Sequence, residues 1–211
     1  MFEAITPLLV RFAGRVLDVG CGSKPYKKYC VNSSEYVGLE IDTPENRRRK
    51  KADFFYDGSR FPFENNSFDC VLSNEVFEHV FNPVEFLSEI NRVLKKEGLL
   101  LISVPFVWDE HEQPHDYARY SSFGLKYNLE KAGFEILEAR KTINSVAVIF
   151  QLLNAYIYKI TVTKNGFVNI IIAGLLMSPF NIIGVVLSKV LPKNNDLYLD
   201  NVVLAKKIQD V

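Results

Sequence analysis

Cysteine is scarce in this chain, with three among 211 residues. Cys21, Cys30 and Cys70 are odd in number and show neither CxxC nor zinc-finger spacing. That excludes a disulfide scaffold and points to free thiols in a reducing, cytoplasmic compartment. An excess of either charge is also lacking, since 25 Lys and Arg stand against 25 Asp and Glu. A balanced chain has no general attraction to nucleic acid, and no such partner is expected. Two nucleotide signatures are missing as well. After Gly20 and Gly22 come Ser23, Lys24 and Pro25, so the third glycine of GxGxxG is absent, and no GKS or GKT follows to make a P-loop. The N-terminus, MFEAITPLLVRFAGR, has neither the basic start nor the small-residue cleavage site of a secretory signal.

What is present is a strand and helix alternation. RVLDVG, EYVGLEID, KADFFYD, FDCVLSNE, LLLISVPF, EILEARKT and LYLDNVVLAK read as strands rich in valine and leucine. Between the fourth and fifth lies NPVEFLSEINRVLKKEG, apolar at helical spacing, with Asn82 and Pro83 to start a helix and Gly98 to stop it. SSFGLKYNLEKAGF predicts a second helix, ended by Gly133. This pattern predicts an α/β domain with a largely parallel sheet covered on both faces.

In such a sheet, ligands bind beyond the carboxyl ends of the strands. Gly20 and Gly22 would let the backbone turn tightly there and approach a ligand. Asp18, just before them, can orient the loop or receive a cation. Glu40 ends the second strand about twenty residues on, where a carboxylate can accept both hydroxyls of a ribose. Asp57 and Gly58 end the third, offering an acceptor for a base amino group and room for a flat ring. A turn without a pyrophosphate cradle favours a nucleoside cofactor over a dinucleotide, which leaves a dehydrogenase as the weaker enzymatic reading.

VLDVGCGSKPY, GLEID, DGSRFPFENNSFDCVLSNEVFEHV and EFLSEINRVLKKEGLLLISVPF resemble class I S-adenosylmethionine-dependent methyltransferases of the small-molecule, type 11-like kind. The resemblance runs from about Arg15 to Val107 and on through HEQPHDYARYSSFGLKYNLEKAGFEILE. It implies a Rossmann-like seven-stranded sheet with a reversed last strand, supplied by LYLDNVVLAKK, and S-adenosylmethionine as cofactor. It also implies that Asp18, Gly20 and Gly22 lie by the methionine portion, Glu40 at the ribose, and Asp57 and Gly58 at the adenine. Asn74 and Glu75 would lie near the donor methyl and the substrate entrance. The family usually has glycine where this chain has Lys24, which would crowd the turn or point outward.

Methyl transfer needs alignment, plus a base where the acceptor is a hydroxyl. All three histidines fall where a base could act: His79 after the fourth strand, His111 and His115 after the fifth. His115 is the first candidate, with Asp116 or Glu112 to orient it. His79 reads rather as structural or pocket-lining. His111 and His115 are four apart, a metal-ligand spacing on a helix, but Pro114 stands between them and no metal is expected. Arg119 reads either as an anion clamp or as a salt-bridge partner of a nearby acid. The basic run Arg47 to Lys51 reads as a solvated loop. The acceptor is expected to be small or lipid-linked, with a saccharide or a quinone-like molecule as examples. A non-catalytic cofactor-binding protein is the alternative from another class.

Residues 142–195 break the rhythm. No charged residue stands between Lys141 and Lys159 or between Lys164 and Lys189. The second run would span about 36 Å as a helix, enough to cross a bilayer core. Pro179, near its middle, predicts a kink or a split. Three readings stand for this insertion within a single methyltransferase domain: a lid, a homodimer surface, or a hairpin in peripheral contact with a membrane.

Overall fold

A computed structural model describes residues 1–49 and 51–211. The chain forms two compact units, Met1–Arg140 with Asp200–Val211, and Lys141–Leu199.

The first unit is built on a seven-stranded sheet. Its strands are β1 (Ala13–Val19), β2 (Asn32–Ile41), β3 (Phe54–Tyr56), β4 (Phe68–Asn74), β5 (Leu94–Pro105), β6 (Phe134–Lys141) and β7 (Asp200–Lys207). They lie in the order β3-β2-β1-β4-β5-β7-β6. β1 pairs in parallel with β2 and β4, and β4 with β5, whereas β7 runs antiparallel to β5. The order reverses beside β1, where β2 and β4 flank it. Strand ends there open a crevice, which is why the residues after β1, β2 and β4 matter most. Val16, Leu17, Val19, Val71, Leu72 and Ile102 are fully buried, as a sheet covered on both faces requires.

Helix α1 (Phe2–Leu9) precedes β1, and α2 (Pro44–Arg49), α3 (Pro83–Val93) and α4 (Ser122–Lys131) lie in the connections between strands. α3 starts as its sequence predicts: Pro83 opens it and the Asn82 side chain accepts from Glu85 N. It buries Phe86, Leu87, Ile90 and Val93, each worth about 2 kcal/mol of apolar transfer. Gly98 does not stop it, however. The helix ends at Val93 and β5 begins at once with Leu94. Gly98 instead serves an irregularity in the β4–β5 register, where an added Cβ would lie 2.8 Å from Lys95 O and 2.9 Å from Asp69 O. The basic run is solvated as expected but not a loop: Arg47–Arg49 form the end of the helix α2, with Arg47 paired to Asp42 and Arg49 to Glu45. Lys50, within that run, lies outside the described residues.

The second unit is a helical hairpin. α5 (Val146–Thr161) leads into a short turn, then α6 (Gly166–Ile172), a π turn at Ala173–Met177 and α7 (Ser178–Val190). The last three run as one 25-residue helix, Gly166–Val190. Pro179 therefore does not split the helix. It sits in the first turn of α7, directly after the π turn, where the altered hydrogen-bond ladder accommodates its missing N–H. α5 and α7 meet closely at Gly184, where a Cβ would come within 2.7 Å of Phe150. Asn154 Nδ2 donates to Asn181 Oδ1 at 2.6 Å across the same seam.

Candidate active site

The glycine turn after β1 is held from below. Gly20 N and Cys21 N donate to Leu39 O at 2.9 and 3.2 Å, tying the turn to β2. Gly20 has φ +70°, and a Cβ there would lie 2.3 Å from Val76 Cγ2. Two reasons thus require glycine: the left-handed backbone and the approach of the segment after β4. Gly22, at φ +48°, would meet nothing within 4 Å of an added Cβ, so its face of the turn is open. Its N–H donates to Glu40 Oε2 at 2.9 Å. The residue expected at the ribose is therefore fixed beside the turn by the turn's own backbone.

Asp18 is buried beneath it and accepts from Tyr36 Oη at 2.6 Å. Burial pushes its carboxyl up to about 7, against the lowering effect of the Tyr36 hydrogen bond. At the end of β3, Asp57 Oδ1 accepts from Ser59 N at 3.0 Å and Ser59 Oγ at 2.5 Å. These bonds hold its carboxyl below the usual range. At the end of β4, Asn74 Oδ1 lies 3.3 Å from Tyr26 Oη and 3.0 Å from Ser103 Oγ. Glu75, in a left-handed backbone at φ +53°, lies 2.8 Å from the same hydroxyl. Burial first, then the charge of Asp200, raises the Glu75 carboxyl to about 7.

The structure brings part of the expected set together in one cleft of about 840 Å³. Ile41, Tyr56 and Gly58 line it on the side of β2 and β3, and His79, His115 and Tyr117 on the other. Lys24 does not crowd the turn. Its side chain runs over Gly38 and its ammonium pairs with Asp53 Oδ2 at 2.5 Å.

The histidines are arranged differently from the sequence expectation. His115 is exposed and its Nδ1 lies 3.1 Å from Tyr117 Oη; neither Asp116 nor Glu112 orients it. Asp116 instead takes a two-pronged pair from Arg119, both bonds 2.6 Å, and accepts from His111 N at 2.9 Å. Arg119 also donates to the carbonyls of Asp109 and Ala118, at 2.9 and 2.7 Å. It is a loop-fixing residue with its donors engaged. His79 Nδ1 contacts His115 O at 2.7 Å, and the His79 and His111 rings meet edge to face at 4.8 Å between centroids. Beside them stands Glu78, fully buried, with neither carboxylate oxygen hydrogen-bonded. Burial, then the charge of Glu75, pushes its carboxyl up to about 8.

The sequence reading missed Glu78 and Tyr36. Only Glu78 had a signal, as an acid directly before a histidine near a strand end. Tyr36 starts a buried stretch of β2 and looks like any core aromatic.

A sequence profile for the methyltransferase domain matches residues 17–102. Over that stretch the chain is similar to the methyltransferase-domain family, in line with its resemblance to class I S-adenosylmethionine-dependent methyltransferases. An uncharacterised protein of Methanocaldococcus jannaschii is 32% identical over 109 residues, 49% of this chain and 48% of that protein. An uncharacterised methyltransferase of Schizosaccharomyces pombe is 34% identical over 109 residues, 42% of this chain and 39% of it. The matches thus span about half or less of these relatives. In fold, the chain is similar to a Haemonchus contortus phosphoethanolamine N-methyltransferase solved with S-adenosyl-L-methionine. That likeness has a TM-score of 0.58 and 20% identity, covering 99% of this chain and 53% of the other. The matched stretch contains the glycine turn, Glu40, Asp57, Gly58, Asn74 and His79, but not His111 or His115.

Proposed function

We propose that this methyltransferase transfers a methyl group from S-adenosylmethionine to a hydroxyl of a small or lipid-linked acceptor, a saccharide or a quinone-like molecule. The observation that carries the reading is the shared cleft. The side that would hold a nucleoside, at Tyr56 and Gly58, opens onto the titratable wall of His79, His115 and Tyr117. The bound donor supplies an electrophilic methyl on a sulfonium sulfur.

In this reading Glu40 takes the ribose hydroxyls with its carboxylate already positioned by Gly22 N. The open backbone of Gly22 receives the methionine portion, with Asp18 beneath it. Gly58 leaves room for the adenine, and Asp57 accepts from its amino group. His115 holds the acceptor proton, with the Tyr117 hydroxyl 3.1 Å from its ring fixing the imidazole.

The hairpin supports a membrane-facing acceptor. Gly166–Val190 is long and apolar enough to cross a membrane, and 6% of its most apolar stretch is buried. Phe167, Ile170, Leu175 and Val190 are each at least 70% exposed. Residues 142–195 contain Lys159, Lys164, Lys189 and Lys193 but no Asp or Glu, which suits an anionic lipid surface. Two of its polar side chains are satisfied locally: Asn169 bridges Thr163 N and Thr163 O, and Ser178 Oγ donates to Ala173 O. α5, with 16 residues, reaches only about 24 Å, short of a bilayer's hydrocarbon core. We place the hairpin in the interface, without a full crossing, and the protein on the cytoplasmic face.

The test is a calorimetric titration with S-adenosylmethionine, beside NADH, on wild type and Glu40→Ala. Saturable donor binding is expected in wild type, with about tenfold to hundredfold weakening in the variant, the worth of hydrogen bonds to a charged group. Silence with S-adenosylmethionine and binding of NADH would overturn the reading.

A further inference from the structure

Glu78 poses a problem that the proposed reaction does not absorb. Its side chain is 0% exposed, yet both oxygens are without a hydrogen-bond partner. A buried carboxylate left so is costly, and a neutral carboxyl would only add an unpaired O–H donor to the same pocket.

Two imidazoles face this carboxylate. Glu78 Oε1 lies 3.8 Å from His79 Nε2. His79 Nδ1 is 2.7 Å from the His115 carbonyl. A carbonyl only accepts, so the neutral ring carries its proton on Nδ1 and presents a lone pair at Nε2. The Nδ1 of His111 faces two acceptors and one donor. It lies 3.3 Å from Asp116 Oδ2 and 3.3 Å from the Asp109 carbonyl, with Arg119 Nη2 at 3.4 Å. Arg119 keeps the Asp116 carboxyl well below its usual range, hence ionised. Glu78, His79 and His111 each offer one ligand atom, and these atoms lie within 4.8 Å of one another.

We infer that Glu78, His79 and His111 form a binding site for a divalent cation of the zinc type. Two neutral imidazoles and one carboxylate suit such an ion, and three protein ligands leave coordination positions open. The tether on His79 Nδ1 matches the outer contacts that orient metal-bound histidines. The cation meets an unpartnered oxygen of Glu78, and its charge offsets the acids around it. The expectation of no metal came from the pair His111 and His115; the fold selects a different set. His79 also lines the cleft, so an open position of the ion can face the acceptor. An acceptor hydroxyl bound there would give its proton to His115 more readily, leaving an oxygen nucleophile. That last role rests on the proposed methyl transfer; the binding site does not.

The test begins with chelator-treated protein, titrated with Zn²⁺ by calorimetry and with Co²⁺ by visible absorption. One equivalent per chain is expected, with a rise in Tm and cobalt bands of a four- or five-coordinate site. Mg²⁺ in excess should not displace it. Glu78→Gln keeps the shape of the side chain, and His111→Ala alters a partly exposed one. Each should weaken Zn²⁺ at least tenfold while melting cooperatively. No saturable binding by wild type at millimolar metal would overturn the site, as would undiminished binding by both variants. Stoichiometric Zn²⁺ binding in a protein that ignores S-adenosylmethionine would support the site and sink the proposed reaction.

Discussion

Lys24 lies across Gly38. A Cβ on Gly38 would come within 2.3 Å of Lys24 Cε and 2.7 Å of Cys21 Sγ, and the lysine ammonium reaches Asp53 Oδ2 at 2.5 Å. Asp53 Oδ2 also accepts from Gly38 N at 2.7 Å. A lysine in a left-handed turn, at φ +57°, is thereby folded back along β2 instead of into the open face at Gly22.

Gly38→Ala should therefore destabilise the protein by about 2 kcal/mol, the usual cost of overpacking a filled position. In a Lys24→Ala background the cost should be clearly smaller, since the closest contact is then gone and only Cys21 remains. Urea denaturation of the four proteins measures the coupling. An equal cost of Gly38→Ala in both backgrounds would show that the two residues do not share that space.

Asp18 should give the stability curve a visible pH dependence. Its carboxyl ionises at 3.8 in the ordinary case and at about 7 in the fold, chiefly through burial. Between these values the unfolded chain binds fewer protons than the folded one, so stability falls as pH rises. The contribution is fully present below pH 3.8 and lost above about 7, a change of about 4 kcal/mol. Asp18→Asn cannot titrate. The difference in unfolding free energy between wild type and Asp18→Asn, followed from pH 4 to 8, should move against wild type as pH rises. A flat difference would refute the assignment.

Vesicle sedimentation checks the hairpin. Wild type should pellet with vesicles containing phosphatidylserine and release at high salt. Ile182 and Val185 are 64% and 55% exposed, so Ile182→Asp with Val185→Asp should leave the fold intact. A charge in the apolar layer costs about 3 kcal/mol, enough to lower binding by more than a hundredfold. Changing Lys159, Lys164, Lys189 and Lys193 to Gln should weaken binding by about 1 kcal/mol per residue on anionic vesicles. Wild type remaining in solution, dimeric and indifferent to lipid, would assign this surface to a second copy.

Much of this was legible in the chain. The alternation of valine- and leucine-rich strands with helices and the places of Gly20, Gly22, Glu40, Asp57 and Gly58 at strand ends depend on local patterns, whereas the reversed last strand was implied by the family resemblance. A glycine turn after an apolar run is readable because only glycine tolerates such backbone freely. The boundaries shifted where close contacts decided them. Gly98 reads as a helix stop but serves the β4–β5 irregularity, because the backbone of Asp69 comes close to it in space. Pro179 reads as a break but sits after a π turn that absorbs it.

The site's chemistry divides in the same way. Sequence by itself determined the fold class and the apolar insertion without acidic residues, because periodicity and the distribution of charge act over short stretches of chain. Only the tertiary structure decided the fate of Lys24, the engagement of Arg119 with Asp116, and the meeting of Glu78 and His79 with His111. Those outcomes depend on which groups, whether three residues apart like Asp116 and Arg119 or more than twenty like Glu78 and His111, come to share a few ångströms of space. There, burial and pairing outweigh what any single residue prefers.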